Sequence, residues 1–367
     1  MENNTIYKRQ FAILLFILTF TYKMSRLPPL VADAVGSSGT FLISLYMVLE
    51  LAAFFVIYKF ILTGGTVLLE NSKSKPVFKF LSAVLAANFF FKLVLMYAGT
   101  VLFTHELLFE TVSPAEITLT LIIPVVYVAC KGIRVISRTA EFLIWLIIAV
   151  LAVNLVFLKV FPDFSSNLPL LNGSFGDLVK AGDKFFFWFG DLTPLMFVKL
   201  KSSKRNYVKL SVFSSWVIVI FGIVLMYAFY GKAAPYVSNV IVKVASFNQF
   251  AAKLGRLDWT GMIVWLLMSL IFLSVYFWGF VQAATQVLKS RKLVWIIGVG
   301  GLLAAEIFVK DATQIVQFAL TKITWLAITA NYIIPLLFLI MATIEKKREA
   351  KALSDAPVTE VVNEQGA

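Results

Sequence analysis

Ten long apolar runs constrain this chain more than any other feature of its sequence. The hydrocarbon core of a bilayer is about 30 Å thick, and a helix needs about 20 mostly apolar residues to cross it. Runs of roughly this kind lie at 9–35, 39–62, 78–105, 115–131, 137–160, 182–200, 208–231, 258–288, 292–309 and 324–345. We therefore predict an all-α integral membrane protein with ten transmembrane helices.

The composition agrees with a membrane protein and disfavours other classes. Hydrophobic residues make up 60% of the chain and charged residues 14%, and the mean hydropathy is +0.88. In a soluble domain, about 25% of the residues are usually charged. The net charge of +13 comes from short basic clusters between the apolar runs, which is typical of topology signals and not of nucleic-acid binding. Cys130 is the only cysteine, so no disulfide forms within the chain.

Motifs for catalysis or cofactor binding are not found in the sequence. There is no Gly-rich phosphate loop and no Gly-x-Ser-x-Gly nucleophile elbow. There is no cluster of Cys and His with metal-ligand spacing, and the single histidine, His105, lies at the outer end of the third run. We therefore predict that the protein is not an enzyme and has no cofactor or metal site, and ATP-driven transport by this chain alone is disfavoured.

The positions of lysine and arginine predict the orientation in the membrane. If the N-terminus is cytoplasmic, twenty of the loop lysines and arginines face the cytoplasm and eight face outward. Because cytoplasmic loops carry such an excess, both termini should be cytoplasmic. The predicted membrane domain covers 1–345 and divides into two repeats of five helices, at about 9–160 and 182–345. The segment 346–367 is polar with little to pack, and we predict a disordered cytoplasmic tail.

Two of the runs are interrupted by a polar residue three positions before a proline. These pairs are Ser25 with Pro28 and Asp191 with Pro194, and they fall in the first helix of each repeat. Repeats with an odd number of helices enter the membrane from opposite sides, which makes their topology inverted. Broken helices in corresponding positions of inverted repeats indicate a transporter-type site near the bilayer midplane. A simple kink is the alternative interpretation of either proline taken alone.

Several short motifs, in their order and spacing, resemble one known family. The motifs are Lys131-Gly132-Ile133, Arg138-Thr139-Ala140-Glu141, Phe161-Pro162, Asn167-Leu168-Pro169-Leu170-Leu171, Phe189-Gly190-Asp191 and Arg256-Leu257-Asp258-Trp259. On these motifs, the chain resembles the permease-like B subunit of the Ger-type nutrient germinant receptors of endospore-forming bacteria. This is the endospore germination permease family of the amino acid-polyamine-organocation superfamily, and the resemblance covers nearly the whole chain.

The resemblance implies a leucine-transporter-like fold with a five-plus-five inverted repeat and broken helices 1 and 6. It implies a subunit that senses a small nutrient germinant and works with A-type and C-type receptor subunits in the inner membrane of the spore. Relatives typically have a glycine-rich stretch at the first break, where this chain has Lys23, Met24, Ser25 and Arg26. The position that is often Glu in the sixth helix is Asp191 here.

Charged residues inside the runs are the strongest candidates for a site. A charge at the centre of a membrane helix costs about 2.5–3.5 kcal/mol on insertion scales, so it usually faces the bundle interior and has a partner. We predict that Asp191 pairs with Lys23 or Arg26 across the two breaks, and that the carboxylate or amine of a ligand competes for this pair. A purely structural ion pair is the alternative. The predicted ligand-binding residues are Lys23, Met24, Ser25, Arg26, Lys92, Tyr97, Trp188, Gly190, Asp191, Thr193 and Tyr276.

Two further expectations concern ions. Lys23 and Arg26 would oppose a sodium ion at the first break, so we expect none there, and a proton-linked or an uncoupled mechanism stays open. Glu50, Glu141 and Glu306 are candidate proton relays. Each of them lies near a helix end or a neighbouring helix, so a hydrogen-bonded structural role is the simpler interpretation.

Three functions agree with these residues. The first is a receptor subunit that changes conformation when an amino acid-like nutrient binds. The second is a secondary amino acid transporter, either proton-coupled or uncoupled. The third is a scaffold whose pocket is no longer used, for which the missing glycines at the first break are the argument.

Overall fold

Helices account for almost all of the secondary structure. The structure is a computed structural model that describes residues 4–25, 27–71, 75–156, 163–167, 175–201, 207–237, 242–243, 258–306 and 323–354. The main α-helices are α1 (Lys8–Phe20), α2 (Leu27–Val35), α3 (Gly39–Leu62), α4 (Gly65–Asn71), α5 (Pro76–Leu107), α6 (Pro114–Lys131), α7 (Ile133–Val156), α8 (Phe175–Gly182), α9 (Val208–Tyr230), α10 (Asp258–Val287), α11 (Arg291–Ala304), α12 (Thr324–Ile328) and α13 (Ile334–Ser354). Shorter elements are the 3-10 helices Gly36–Ser38, Phe164–Asn167, Asp183–Trp188, Thr193–Phe197 and Gly231–Tyr236, and the π-helical turn Thr329–Ile333.

Six helical segments in the described residues are long and apolar enough to cross a membrane. They are Leu27–Leu62, Pro76–Leu107, Pro114–Lys131, Val208–Tyr236, Trp259–Val287 and Thr324–Arg348. These segments indicate a multi-pass membrane protein. Some of the other predicted spans correspond to shorter helices, such as α1 with 13 residues and α11 with 14 residues. Ten transmembrane helices and the inverted repeat therefore remain predictions.

Local sequence signals explain several helix boundaries. Pro76 and Pro114 lie in the first turns of α5 and α6, where a helix does not need the missing N–H. Ser113 caps α6, because its hydroxyl accepts from the Glu116 N–H at 3.3 Å and the Glu116 carboxylate accepts from the Ser113 N–H at 3.2 Å. Gly132, between α6 and α7, has a φ of +87°, which favours glycine. The prolines and Ser113 therefore mark where helices begin, and Gly132 marks the short turn between α6 and α7.

Helices α5 and α10 form the centre of the bundle. In the apolar window of the α10 segment, 78% of the residues are buried, whereas 28% are buried in that of α6. α10 packs along α5 and also contacts α6 and α7, and α1 packs against α9 and α7. Gly279 of α10 permits a close approach, because a Cβ there would lie 2.7 Å from the Pro194 side chain. The central helix α10 therefore packs directly against the second interrupted run.

The first interrupted run contains a stretch of non-helical backbone. α1 ends at Phe20, residues 21–25 form turns, and α2 begins at Leu27. Pro28 and Pro29 lie in the first turn of α2, where proline is tolerated although it cannot continue a helix from a preceding turn. The break in the helix therefore lies just before the prolines. We call residues 21–25 the first interruption.

The second interrupted run is broken at the predicted place, near Asp191 and Pro194, but the segments on both sides of the break are 3-10 helices. Residues 189–192 are irregular, and 3-10 helices precede and follow them. Gly190 has a φ of +78°, a backbone conformation that an α-helix does not contain. Pro194 then opens the following 3-10 helix. The run 182–200 is therefore built from short turns, and we call residues 189–192 the second interruption.

A short parallel sheet joins the two interrupted segments at one end. β1 (Thr5–Tyr7) precedes α1, and β2 (Lys199–Lys201) follows the second interruption. Close to this sheet, Arg9 and Gln10 of α1 contact Glu141 of α7. The start of α1 is therefore attached both to the second interrupted segment and to α7.

The last helix continues further than the sequence predicts. α13 ends at Ser354, so the beginning of the segment 346–367, for which we predict a disordered tail, is helical in the structure. This stretch is rich in Ala, Glu, Lys and Arg, which have high helix propensities. Residues 355–367 lie outside the described part of the chain.

Candidate functional site

Four buried charged side chains form one network between the two interruptions. Lys23 pairs with Asp191 and also with Glu50, whose Oε1 lies 3.0 Å from Lys23 Nζ. Lys92 Nζ lies 2.6 Å from Asp191 Oδ1. The lysine side chains are 0% exposed, and the Glu50 and Asp191 side chains are 4% and 2% exposed. The predicted pairing of Asp191 with Lys23 is therefore present, and we call these four residues the charged network.

Four separate elements bring these charges together. Lys23 lies in the first interruption and Asp191 in the second, whereas Glu50 lies in α3 and Lys92 in α5. α10 contributes Tyr276, whose hydroxyl donates to Asp191 Oδ1 at 3.4 Å. Because both interruptions and three intact helices contribute side chains, the network forms only when the bundle is folded.

The charged network contains two cations and two anions, so its formal charge is zero. Burying an ion costs several kcal/mol, and only a close counter-ion with further hydrogen bonds offsets this cost. Aromatic rings stabilise the lysines as well. Lys23 Nζ lies 5.2 Å from the centre of the Phe189 ring, and Lys92 Nζ lies 5.7 Å from that of Tyr276. Each charge of the network is therefore balanced by a counter-ion within the network.

Side chains also bind backbone carbonyls at both interruptions. Where a helix is broken, carbonyl groups lose their helical partners and need others in an apolar interior. The Phe189 carbonyl accepts from Lys92 Nζ at 3.3 Å and from Asn331 Nδ2 at 3.1 Å. The Thr21 carbonyl accepts from the indole N–H of Trp265, in α10, at 3.1 Å. Intact helices and the π-turn therefore supply partners that the irregular backbone lacks.

Asn331 organises a second, uncharged cluster against the second interruption. Its amide oxygen accepts from the Thr193 hydroxyl and from the Asn88 amide, each at 3.1 Å. Asn331 lies in the π-helical turn Thr329–Ile333, and such turns are frequent at functional sites. Gly190 packs directly against it, because a Cβ at Gly190 would overlap the Asn331 side chain. The π-turn thus holds an amide against the irregular backbone.

Most of the predicted ligand-binding residues in the described chain lie in these two clusters. Those that meet there are Lys23, Lys92, Gly190, Asp191, Thr193 and Tyr276. Arg26, the other predicted partner of Asp191, lies outside the described residues. The ligand-binding roles of all these residues stay predictions.

The remaining predicted residues are buried and make other contacts. The end of the Met24 side chain lies against Gly222 of α9. The Ser25 hydroxyl donates to a carbonyl within its own turn at 3.2 Å, and the Tyr97 hydroxyl donates to a carbonyl of α6. Trp188 is 5% exposed and packs edge-on against the ring before it. These four contacts hold the surrounding helices and turns together.

Sequence reasoning does not place Glu50, Asn88 or Asn331 among the ligand-binding residues. The signal available for all three is a polar residue in an otherwise apolar run. Asn88 also precedes Lys92 by one helical turn, so that both lie on one face of α5. Burying an asparagine side chain costs less free energy than burying a charge, so an asparagine in an apolar run is weaker evidence of a partner.

The described residues do not include a metal centre. Within them, no group of three or more His, Cys, Asp or Glu side chains is placed to hold a metal ion. Both carboxylates of the charged network, Glu50 and Asp191, contact a lysine. A metal cation there would have to displace or oppose a lysine.

Comparison with known families gives the relatives of this chain. The profile of a family described as "Spore germination protein" matches residues 5–316, which is most of the sequence. The chain belongs to the spore germination protein family. The matched range includes both interruptions and the whole charged network, and the match confirms the resemblance that the sequence motifs predict. A search of curated proteins found no match.

Proposed function

We propose that this protein is a membrane subunit of a spore germination receptor, which senses a nutrient germinant by binding an amino acid-like solute between the two interruptions. The family match supports the setting in spore germination. The charged network, which joins Lys23 in the first interruption to Asp191 in the second, is the observation that carries the proposal.

The charges of an α-amino acid match those of the network. Such a ligand has one carboxylate and one ammonium group. Its carboxylate replaces Asp191 beside a lysine, and its ammonium replaces that lysine beside Asp191. In this exchange, one ion pair within the protein becomes two ion pairs between protein and ligand, so no buried charge is left without a counter-ion. Uncharged sugars and nucleosides bring no charges for such an exchange, and the network therefore favours an amino acid.

Binding requires the network to open. The side chains of Lys23, Lys92 and Asp191 are almost completely buried, so a solute reaches them only when the surrounding segments separate. A ligand favours the open conformation only if it binds that conformation more tightly than the closed one. β1 and β2 attach the interrupted segments to each other at one end, so movement of one segment is transmitted to the other. In a receptor, this shift in conformation is the signal.

The partners and location follow from the family in this proposal. The protein works with A-type and C-type receptor subunits in the inner membrane of the spore, with both termini in the cytoplasm. Affinity purification from spore membranes tests this assembly. We expect both partner subunits to co-purify with the tagged protein, and their absence under conditions that keep the protein folded would contradict the assembly.

Thermal stabilisation of the purified protein tests the site and the ligand class. The panel contains amino acids, sugars and nucleosides. We expect an amino acid to raise the melting temperature of the wild type but not that of the double variant Asp191→Asn with Lys92→Gln, which loses one charge of each sign. Asp33→Asn is the matched control, because Asp33 is exposed on α2 and should not affect the response.

Three results would contradict the proposed binding. Equal stabilisation of the wild type and the double variant by the same amino acid would place the site elsewhere. Stabilisation by a sugar or a nucleoside alone would show that the ligand does not exchange with the ion pairs. Absence of stabilisation, with the partner subunits present, would favour a scaffold.

A secondary amino acid transporter is the second candidate function. The same network favours it, because the charges in the site of a carrier also need counter-ions within the protein when no substrate is bound. Uptake of a labelled amino acid into proteoliposomes distinguishes the two functions. A carrier moves many ligand molecules per protein, whereas a receptor retains at most the amount that its sites bind.

A further inference from the structure

Three buried polar atoms near the charged network have no hydrogen-bond partner within the described residues. They are the Thr19 hydroxyl oxygen, Glu50 Oε2 and the Trp216 indole nitrogen. All three residues line one small cavity, to which α1, α3 and α9 contribute. Buried polar groups almost always have partners, because leaving one unpaired is destabilising. Three such groups around one cavity indicate a binding site.

The cavity has room for about one water molecule. Apolar side chains, Met47, Leu51, Leu192 and Val212, form the rest of its wall. The centre of a water-sized molecule has about 10 Å³ in which to move, close to the smallest space that holds a bound water. An amino acid does not fit in this space. The cavity is therefore separate from the exchange of ion pairs proposed for the ligand.

The three groups select a molecule that both donates and accepts hydrogen bonds. Ionised Glu50 only accepts, the Trp216 N–H only donates, and the Thr19 hydroxyl does either. The indole N–H opposes a metal cation, and the carboxylate opposes an anion. Water donates to Glu50 and accepts from Trp216, so it satisfies all three groups.

We propose that Thr19, Glu50 and Trp216 bind one water molecule and that Glu50 exchanges a proton through it. In this step, the bound water transfers a proton to Glu50 Oε2 while it receives one from a hydronium ion of the solvent. One O–H bond breaks and one forms in each of the two transfers, and a neutral water molecule remains in the cavity. The reverse step returns the proton, and no other reactant takes part.

The two carboxylates of the charged network differ in a way that assigns this role to Glu50. Asp191 uses both oxygens, since Oδ1 contacts Lys92 and Tyr276 and Oδ2 contacts Lys23. Glu50 uses Oε1 alone for Lys23 and for the Asp191 backbone N–H, at 3.0 and 3.4 Å. Glu50 Oε2 can therefore take up a proton while Oε1 keeps its contact with Lys23.

Protonation of Glu50 changes the net charge of the charged network. The charged and titratable groups that act on Glu50 are Lys23, Lys92, Asp191, Tyr276 and Tyr332. The charged network is neutral when Glu50 is ionised and carries one positive charge when Glu50 is protonated. Lys23 is then held less tightly and becomes a better partner for an incoming carboxylate. This last consequence rests on the proposed function, whereas the water site and the proton exchange do not.

Infrared difference spectroscopy of the protein in lipid nanodiscs, without a ligand, tests the proposal. Lowering the pH protonates every accessible carboxylate, so the Glu50 band is defined as the carbonyl stretch that is present in the wild type and missing from Glu50→Gln. In Thr19→Val and Trp216→Phe, the band should persist but exchange with D₂O about tenfold more slowly, as expected for one lost hydrogen bond. Thr21→Val is the matched control, because the Thr21 hydroxyl already donates to the Ile17 carbonyl and should not affect the rate.

The outcomes separate this inference from the proposed function. Identical carboxylic-acid bands in the wild type and in Glu50→Gln, at a pH where both remain folded, would overturn the proton exchange. Exchange at the wild-type rate in both Thr19→Val and Trp216→Phe would overturn the water site. Because no germinant is added, these results do not depend on what the protein binds.

Discussion

The two interruptions occupy similar places in their apolar runs but are stabilised in different ways. The first interruption contains the cation Lys23, and its Thr21 carbonyl accepts a hydrogen bond from the indole N–H of Trp265. The second interruption contains the anion Asp191, and its Phe189 carbonyl accepts hydrogen bonds from Lys92 of α5 and Asn331 of the π-turn. A glycine with positive φ is present in the second interruption, whereas the first turns without one.

This difference indicates which interruption depends more on the charged network. Lys92 makes two contacts with the second interruption, one with the Asp191 carboxylate and one with the Phe189 carbonyl. The first interruption has a backbone partner, Trp265, that does not belong to the network. Substitutions at the second interruption should therefore reduce stability more than substitutions at the first.

We expect the largest loss of stability from Asp191→Asn. The substitution leaves Lys23 and Lys92 with Glu50 as their only carboxylate in the charged network. Removing one partner from a buried ion pair costs about 3–5 kcal/mol. The melting temperature in detergent solution measures the loss. Addition of Lys92→Gln should restore part of it, and a double variant less stable than the single one would show that charge balance is not the cause.

A smaller loss is expected from Gly190→Ala. A residue other than glycine at a φ of +78° is strained, and the new methyl group would overlap the Asn331 side chain. Together these effects should cost about 2–3 kcal/mol. Gly99→Ala in α5 is the control, because no atom lies within 4 Å of its Cβ position. An unchanged melting temperature for Gly190→Ala would contradict the described backbone.

The smallest of these effects is expected at the first interruption, from Trp265→Phe. The substitution removes the N–H that binds the Thr21 carbonyl but keeps an aromatic ring. Loss of one buried hydrogen bond should cost about 1–2 kcal/mol. Trp325→Phe is the control, since Trp325 is 78% exposed. If Trp265→Phe destabilises the protein as much as Asp191→Asn, the proposed difference between the interruptions is wrong.

Part of the site follows from the sequence because buried charges need partners. Lys23, Lys92 and Asp191 lie inside apolar runs, where an unpaired charge is strongly unfavourable. This cost predicts that Asp191 pairs with Lys23 or Arg26 across the two breaks, and the structure contains the pair with Lys23. The same cost does not predict that Lys92 also joins the pair or that Glu50 closes the network from α3, since several arrangements balance the same charges.

The uncharged part of the site could not be predicted in the same way. Asn88 and Asn331 are far apart in the chain, and neither side chain forces a choice of partner. Their contact depends on the π-turn, which changes the direction of the side chains without a clear signal in the sequence. The break in the run 182–200 was predicted from Asp191 and Pro194, but the 3-10 helices on both sides of it were not, because hydropathy measures apolar character and not the type of helix.

The sequence by itself determined the class of the protein, its family and the positions where its helices break. These properties follow from local features, namely apolar length, proline and glycine positions and short motifs. The tertiary structure alone decided which charges meet, which carboxylate keeps an unpartnered oxygen beside the cavity and which side chains bind the broken backbone. Those choices depend on how α3, α5, α9, α10 and the π-turn pack around the interruptions, and residues distant in the chain become neighbours only through that packing.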